Sequence, residues 1–427
     1  MRLAVICYLV PCIYGYAISQ RRLPSDSAGL DQSPPATGYN SPQSQDLHER
    51  IQLRLSPSLE LDPYPDKPRI TFKEDGSFKL TIFSDIHFGE NPWDSWGPVQ
   101  DINTTALMEA LLQLEKPDYV VINGDLVTGE NTFRENSTSL IDSIVRPLNA
   151  AKVPFSSTSG NHDSKINITR TGEMTREIGI SPLSYTRFSP PGVGGVGGPG
   201  NYWVPVYEKV TGEPTQVVFH EVPKQSCVFS DQTPVLILWF FDSRGGLFTN
   251  GTQMPDWVDS SVAEWVQSET EKMNIDWGPP EQRSALAFVH IPPHAVQAVQ
   301  RNLNSSINPG LNADTLGQGS TQASLKHASL GKDNAFWHSL NTNVKNLRAV
   351  ISGHDHGDEW CAREPTYDVI FCFNKHSGYG GYSRPGWGRG VRSIIFHSAA
   401  PLVGLETYIM MENGTSHARV ILDEHYM

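Results

Sequence analysis

Phe78-Lys79-Leu80-Thr81-Ile82-Phe83-Ser84-Asp85-Ile86-His87 is the stretch that decides the fold. Six residues of β-prone, largely apolar chain end abruptly in a carboxylate and an imidazole two positions apart. The same grammar recurs further on. Tyr119-Val120-Val121-Ile122 runs into Gly124-Asp125, Val153-Pro154-Phe155 leads to Gly160-Asn161-His162-Asp163, Leu286-Ala287-Phe288-Val289 ends at His290, and Leu347-Arg348-Ala349-Val350-Ile351 ends in Ser352-Gly353-His354-Asp355-His356. Short continuous apolar runs of this kind read as buried strands. Open α/β sheets present ligand-binding groups at the carboxyl ends of their strands. If Asp85 and His87 continue the extended strand, alternation puts both side chains on one side, where they can grip one ion; the spacing of His354 and His356 carries the same expectation.

Helical patterns lie between the strands. Ala106, Leu107, Ala110, Leu111 and Leu114 recur at helical spacing, with Asn103 or Thr104 placed to cap the start. Leu140, Ile144 and Leu148 mark a second helix, and Val262, Trp265 and Val266 a third, just after the long strand Val235 to Phe241. Strand and helix alternate, so the class is α/β. Residues 190–200 and 302–332 read as surface loops.

The beginning of the chain is different. Met1 and Arg2 precede the apolar run Leu3 to Val10, and Ala17-Ile18-Ser19 offers small residues for cleavage, so residues 1–19 read as a signal peptide. Residues 20–69 are rich in Ser, Pro and Gln and read as a disordered or loosely docked linker. The folded domain is then 70–427, roughly 360 residues, enough for a large α/β core. No later apolar run reaches the roughly 20 residues that a membrane helix needs. Asn103, Asn136, Asn167, Asn250, Asn304 and Asn413 each open an Asn-x-Ser/Thr acceptor triplet, as expected of a secreted, extracellular glycoprotein. Cys7 and Cys12 would leave with the leader. In an oxidising compartment Cys361 and Cys372, which flank a hairpin pattern, are the expected disulfide, with Cys227 left over. A formal net charge of −13 argues against a nucleic-acid partner.

The ordered series Asp-x-His, Gly-Asp, Gly-Asn-His-Asp, His, Gly-His-x-His resembles the calcineurin-like metallophosphoesterases from about Ile70 to the C-terminus. The branch it resembles most includes purple-acid-phosphatase-29-like proteins. The resemblance implies two packed mixed β-sheets flanked by helices, a four-layer αββα sandwich, with the motifs converging at one edge. It implies two divalent or trivalent metal ions, Fe, Mn or Zn, consistent with mixed His, carboxylate and amide donors. Asp85, His87 and His356 are placed on the first ion, Asn161, His290 and His354 on the second, and Asp125 between them. His162 would be catalytic without being a ligand, with Asp163 orienting it. The implied activity is hydrolysis of small phosphomonoesters by metal-bound hydroxide. The alternatives are a phosphodiesterase acting on nucleotide or lipid diesters, and a secreted metal-binding glycoprotein without turnover. Thr128 stands where purple acid phosphatases have a tyrosine, so no purple colour is expected.

Two further features invite a substrate role. Asn374 to Tyr382 is glycine-rich, and His376, Lys375 and Arg389 (Arg384 too) are placed to meet a phosphate. Trp93 and Trp96, just past the first motif, read as a hydrophobic lid or a substrate rim.

Overall fold

A computed structural model describes residues 61–209, 233–400 and 403–427. The expected leader, the expected linker up to residue 60, and Cys7, Cys12 and Cys227 lie outside the described residues. Within 61–69, Tyr64 is buried and its hydroxyl donates to Tyr185 O at 2.6 Å, so this short stretch packs on the domain.

The strands sort by where their apolar residues go. In chain order β1 is Ile70–Thr71, β2 Phe78–Phe83, β3 Tyr119–Asn123, β4 Phe155–Thr158, β5 Tyr202–Tyr207, β6 Pro234–Phe241, β7 Ser284–Val289, β8 Leu347–Ser352, β9 Cys361–Glu364, β10 Val369–Phe373, β11 Gly390–Phe396, β12 Leu405–Met411 and β13 Ser416–Leu422. They form a six-stranded sheet ordered β13-β12-β11-β2-β3-β4 and a seven-stranded sheet ordered β1-β5-β6-β7-β8-β10-β9. Both are mixed: β2, β3 and β4 run parallel while β11 and β2 are antiparallel, and β6, β7, β8 and β10 run parallel while β5 and β6 are antiparallel.

Alternation along the strands separates three cores. Phe78, Leu80 and Ile82 meet Leu236, Leu238, Phe240, Leu286 and Phe288 between the sheets. Val120, Ile122 and Phe83 face outward onto two helices, α1 (Gly97–Glu115) and α2 (Leu140–Ala151), through Leu107, Leu111, Ile141 and Ile144. The opposite outer face, with Ile237, Trp239, Phe241, Ala287 and Val289, is covered by Val262, Trp265 and Val266 of α4 (Ser260–Trp277) and by Phe336, Trp337 and Leu340 of α6 (Asn334–Asn343). Helices α3 (Arg170–Ile180) and α5 (Val296–Gln300) complete the set among the described residues. The layers are helix, sheet, sheet, helix, as the resemblance implied.

One boundary differs from expectation. Helix α1 starts at Gly97 with Pro98 in its first turn, six residues before Asn103, because proline's fixed φ suits the first turn and its missing N–H costs nothing there. Thr104 is not a cap. It is buried in the helix and its hydroxyl accepts from Tyr379 N–H at 2.9 Å.

Cys361 and Cys372 are paired residues of the β9–β10 ladder and form the expected disulfide, buried on both sides. Replacing both by alanine should cost about 2–4 kcal/mol of stability in urea unfolding, the usual contribution of a closed loop. The native bridge should resist dithiothreitol until denaturant is added; reduction of the folded protein at neutral pH would contradict this burial.

Candidate metal centre

Five loops meet where the two sheets open. Those after β2, β3 and β4 supply Asp85, His87, Asp125, Asn161 and His162; those after β7 and β8 supply His290, His354 and His356. Their backbones are unusual. Asp85, His87, Asp125 and His354 adopt φ of 55, 48, 52 and 79°, in the left-handed region where non-glycine residues are strained, and such residues cluster at functional sites. The extended geometry expected of Asp85 and His87 is therefore absent, and a left-handed turn brings them together instead. The same kind of turn at His354 sends His354 and His356 apart, one to each side of the centre, contrary to the expectation from their spacing.

The loops are interlocked by their own backbones. Asp85 N–H donates to Gly124 O and His87 N–H to Asp125 O, both at 3.0 Å. His354 N–H donates to Asp85 Oδ1 at 3.0 Å and His162 N–H to Asp125 Oδ1 at 2.8 Å. Two glycines make this approach possible. A Cβ on Gly124 would lie 2.2 Å from His290 Nδ1, and one on Gly160 2.2 Å from Asp125 Oδ1.

Two clusters result. Asp85, His87 and His356 can bring one ligand atom each within 4.8 Å of one another, and so can Asp125, His290 and His354. Each imidazole is fixed from outside. His87 Nδ1 contacts Thr128 Oγ1 at 3.0 Å, His290 Nδ1 contacts Asn123 O at 2.8 Å, and His356 Nδ1 contacts Tyr382 O at 2.6 Å, which leaves Nε2 as the inward atom of each ring. His354 is reversed: its Nε2 meets Gly319 O at 2.8 Å, leaving Nδ1. Outer partners of this kind select the tautomer and aim the lone pair.

The centre fits cations on its own geometry. His87 Nε2 and His356 Nε2 face each other at 3.3 Å, and His290 Nε2 lies 3.1 Å from Asp125 Oδ2 and 3.8 Å from Asp85 Oδ1. Asn161 Oδ1 is buried without a hydrogen-bond partner, a costly state for a polar atom unless an ion satisfies it. Electrostatics agree. Burial disfavours charge on His290, yet the Asp125 and Asp85 carboxylates outweigh it and hold this imidazole up to about 10, while burial pushes His87 down to about 3 and His354 down to about 4. A proton on His290 thus supplies positive charge that the carboxylates demand, and metal binding would displace it.

His162 stands beside the clusters rather than in them, its ring 5.0 Å from that of His87. The expected orienting role of Asp163 is not seen. Asp163 is fully buried and accepts from Val127 N–H at 2.9 Å and Gly160 N–H at 2.7 Å, so both its oxygens are occupied in pinning two loops. Glu130, which sequence reasoning missed, takes that place, pairing with His162 Nδ1 at 2.8 Å and with Lys165 Nζ at 3.0 Å. Burial pushes the Glu130 carboxyl up, but contact with His162 and Lys165 brings it down to about 2. Burial also opposes charge on His162, and Asp125 with Glu130 overcomes it, raising the imidazole above its ordinary value.

The glycine-rich segment is corrected too. Lys375 is buried, paired with Glu359 at 2.9 Å and donating to Trp387 O at 2.8 Å. His376 is buried and stacked on His356 with centroids 4.0 Å apart. Arg389 Nε donates to Gly378 O at 2.8 Å with its guanidinium over Tyr379, and Arg384 lies over Trp387. Lys375 and His376 are therefore not free to meet a phosphate, while Arg384 stays exposed and Arg389 half-buried. The segment instead closes over the first cluster, where a Cβ on Gly381 would lie 2.6 Å from His356 Cε1. On the other side, Arg170 holds the Asn161 loop by donating to Gly160 O at 2.7 Å and Arg244 O at 2.6 Å. Asn161 and His354 line a cleft of roughly 260 Å³ there. Of the acceptor asparagines, Asn136, Asn250, Asn304 and Asn413 are exposed; Asn103 and Asn167 are half-buried, and Asn167 Nδ2 donates to Thr132 O at 2.9 Å.

Two sheets that deliver paired His and carboxylate clusters to one edge define a metallophosphoesterase. Residues 78–358 match the family model for Calcineurin-like phosphoesterase, and the chain belongs to that family. Over 366 residues it is 28% identical to "Probable inactive purple acid phosphatase 28" of Arabidopsis thaliana, covering 81% of this chain and 80% of that one. It is 23% identical to "Probable inactive purple acid phosphatase 29" of the same plant over 353 residues, 78% of this chain and 81% of that one. Among solved structures, a dimetal phosphatase from Danio rerio aligns over 82% of this chain and 99% of its own, with 12% identity and a TM-score of 0.44.

Thr128→Val keeps the volume of the side chain but removes the contact to His87 Nδ1. Metal affinity, titrated against a competing chelator, should fall 10- to 100-fold, the usual cost of losing such a partner. Unchanged affinity would show that Thr128 does not orient His87.

Proposed function

We propose that this protein is a secreted phosphomonoesterase with two metal ions. The observation that carries the reading is His162, an imidazole with 27% of its side chain exposed, charge-paired with Glu130 and adjoining both clusters without belonging to either. A purely metal-binding protein has no use for such a group.

Asp85, His87 and His356 would hold one ion, Asn161, His290 and His354 the other, with Asp125 shared. When bound, the ions would supply the charge that activates a water and neutralises the phosphoryl group. The protein's own residues do the rest. The outer partners of the four imidazoles keep the donor atoms aimed inward, so little reorganisation is needed. His162 Nδ1 is engaged by Glu130, which leaves Nε2 to hold a proton towards the departing ester oxygen. Asp163, with its carboxyl pushed up to about 6 by burial and then by Asp125, fixes the Val127 and Gly160 amides and so ties the two loops together without touching the His162 ring.

Secretion is supported by the reading of residues 1–19, by the acceptor asparagines and by the disulfide; among the described residues no helix is long and apolar enough to cross a membrane. A second reading, a metal-binding protein without turnover, is favoured by the names of the two plant relatives, each called probable inactive. Turnover of a monoester by metal-loaded protein decides between the two.

His162→Ala should keep its metals and lose roughly 10²- to 10⁴-fold in turnover. The loss should be smaller for nitrophenyl phosphate, whose leaving group scarcely needs a proton, than for an alkyl phosphate. Glu130→Gln removes one of the charges that raise the His162 pKa, so the imidazolium should persist to a lower pH limit and the alkaline limb of the rate profile should move to lower pH. An unshifted limb, or loss of metal from His162→Ala, would overturn the role given to His162.

A further inference from the structure

The loops leaving the two clusters carry a pair of aromatic rings that the chemistry above does not use. From His87 the chain runs through Phe88 and Glu90 to Trp93. From Asp125 it runs through Thr128 and Glu130 to Phe133. The loops are already joined by their backbones, since Thr128 N–H donates to Phe88 O at 3.0 Å and Asn91 N–H to Asn131 O at 2.8 Å. Beyond that tie, Trp93 and Phe133 meet edge to face with centroids 5.8 Å apart, and both remain in water, 55% and 45% exposed.

The order of contacts along the second loop locates the pair. Thr128 touches His87, Glu130 touches His162, and Phe133 touches Trp93. Phe133 thus follows Glu130 by three residues on the loop that carries the His162–Glu130 pair, and both rings are open to solvent. A group that protonates the departing oxygen has the alcohol portion of the ester on its own side. Charge narrows what that portion can be. Glu90, Asp94 and Glu135 lie on the same two loops, and Arg134 is engaged with Ile166 O at 2.9 Å, so a second anionic group is disfavoured and a neutral ring is the fitting occupant.

Resting on the role given to His162, we propose that Trp93 and Phe133 form a platform for the alcohol portion of the substrate, and that aryl-type phosphomonoesters are the favoured class. Aromatic rings gain roughly 0.5–1.5 kcal/mol from edge-to-face or offset contact beyond burial alone, which corresponds to about two- to tenfold in affinity.

The test uses the full chain loaded with metal. Trp93→Ala and Phe133→Ala, both exposed loop changes, are compared with the unmodified protein on phenyl phosphate and on ethyl phosphate. KM for phenyl phosphate should rise about two- to tenfold with kcat little changed, KM for ethyl phosphate should stay the same, and Trp93→Phe should restore most of the difference. Equal changes on both esters, or no change on either, would overturn the platform. Calorimetric binding of phenylphosphonate against methylphosphonate reads the platform without turnover. If neither ester is hydrolysed, the phosphomonoesterase reading fails; a phenyl preference that Trp93→Ala abolishes would still uphold the ring pair. Equal affinity for the two phosphonates, or binding of neither, would sink it.

Discussion

Two carboxylates, Asp85 and Asp125, are buried side by side between two β-sheets, and the rest of the centre answers that constraint. Charge this deep is costly unless positive charge or hydrogen bonds surround it. Asp85 receives the Ser84 hydroxyl at 2.6 Å and the His354 amide at 3.0 Å, and Asp125 receives the His162 amide at 2.8 Å. What backbone and hydroxyl groups leave unbalanced falls to His290, held protonated between the two, while the inward nitrogens of His87, His354 and His356 add lone pairs rather than charge. That is an arrangement in which cations replace protons.

The sandwich makes this possible because each sheet brings only part of the donor set. Parallel strands β2, β3 and β4 end together at one edge, as do β7 and β8, and the left-handed turns at Asp85, His87, Asp125 and His354 fold the side chains across the gap. Strain in those turns is sustained by the ladder behind them and by close glycine contacts at Gly124 and Gly160, where any side chain would displace a donor. Buried acids and bases such as Asp163 and Arg170 serve the same end from behind, by fixing loops rather than by touching a reacting group.

Much of this was legible in the sequence, for identifiable reasons. Each strand that ends in a donor is a short apolar run, so the period and the polar break were both visible, and the donor series with its order along the chain pointed to the right set of loops. Strand β5 was hidden by Pro205, and β11 by the buried polar pair Arg392 and Ser393, since both break the apolar pattern that marks a strand. Glu130 went unseen because its partner His162 is 32 residues away and only the fold of two loops joins them. Lys375 and His376 were misjudged for the complementary reason: composition shows a cation beside glycines, but only packing shows that Glu359 and His356 already occupy those side chains. Turn handedness was equally out of reach, so the two-residue spacing of His354 and His356 gave the wrong sense of where they point.

The central claim is that Asp125 stands between two ions held by two separate clusters. Elemental analysis of the purified full chain and of Asp125→Asn tests it most directly. The unmodified protein should carry two metal ions per chain, and Asp125→Asn should retain at most one, because the amide removes the charge that lets two cations lie close together. Two fully occupied metals in Asp125→Asn, or none in the unmodified protein loaded under the same conditions, would contradict the account.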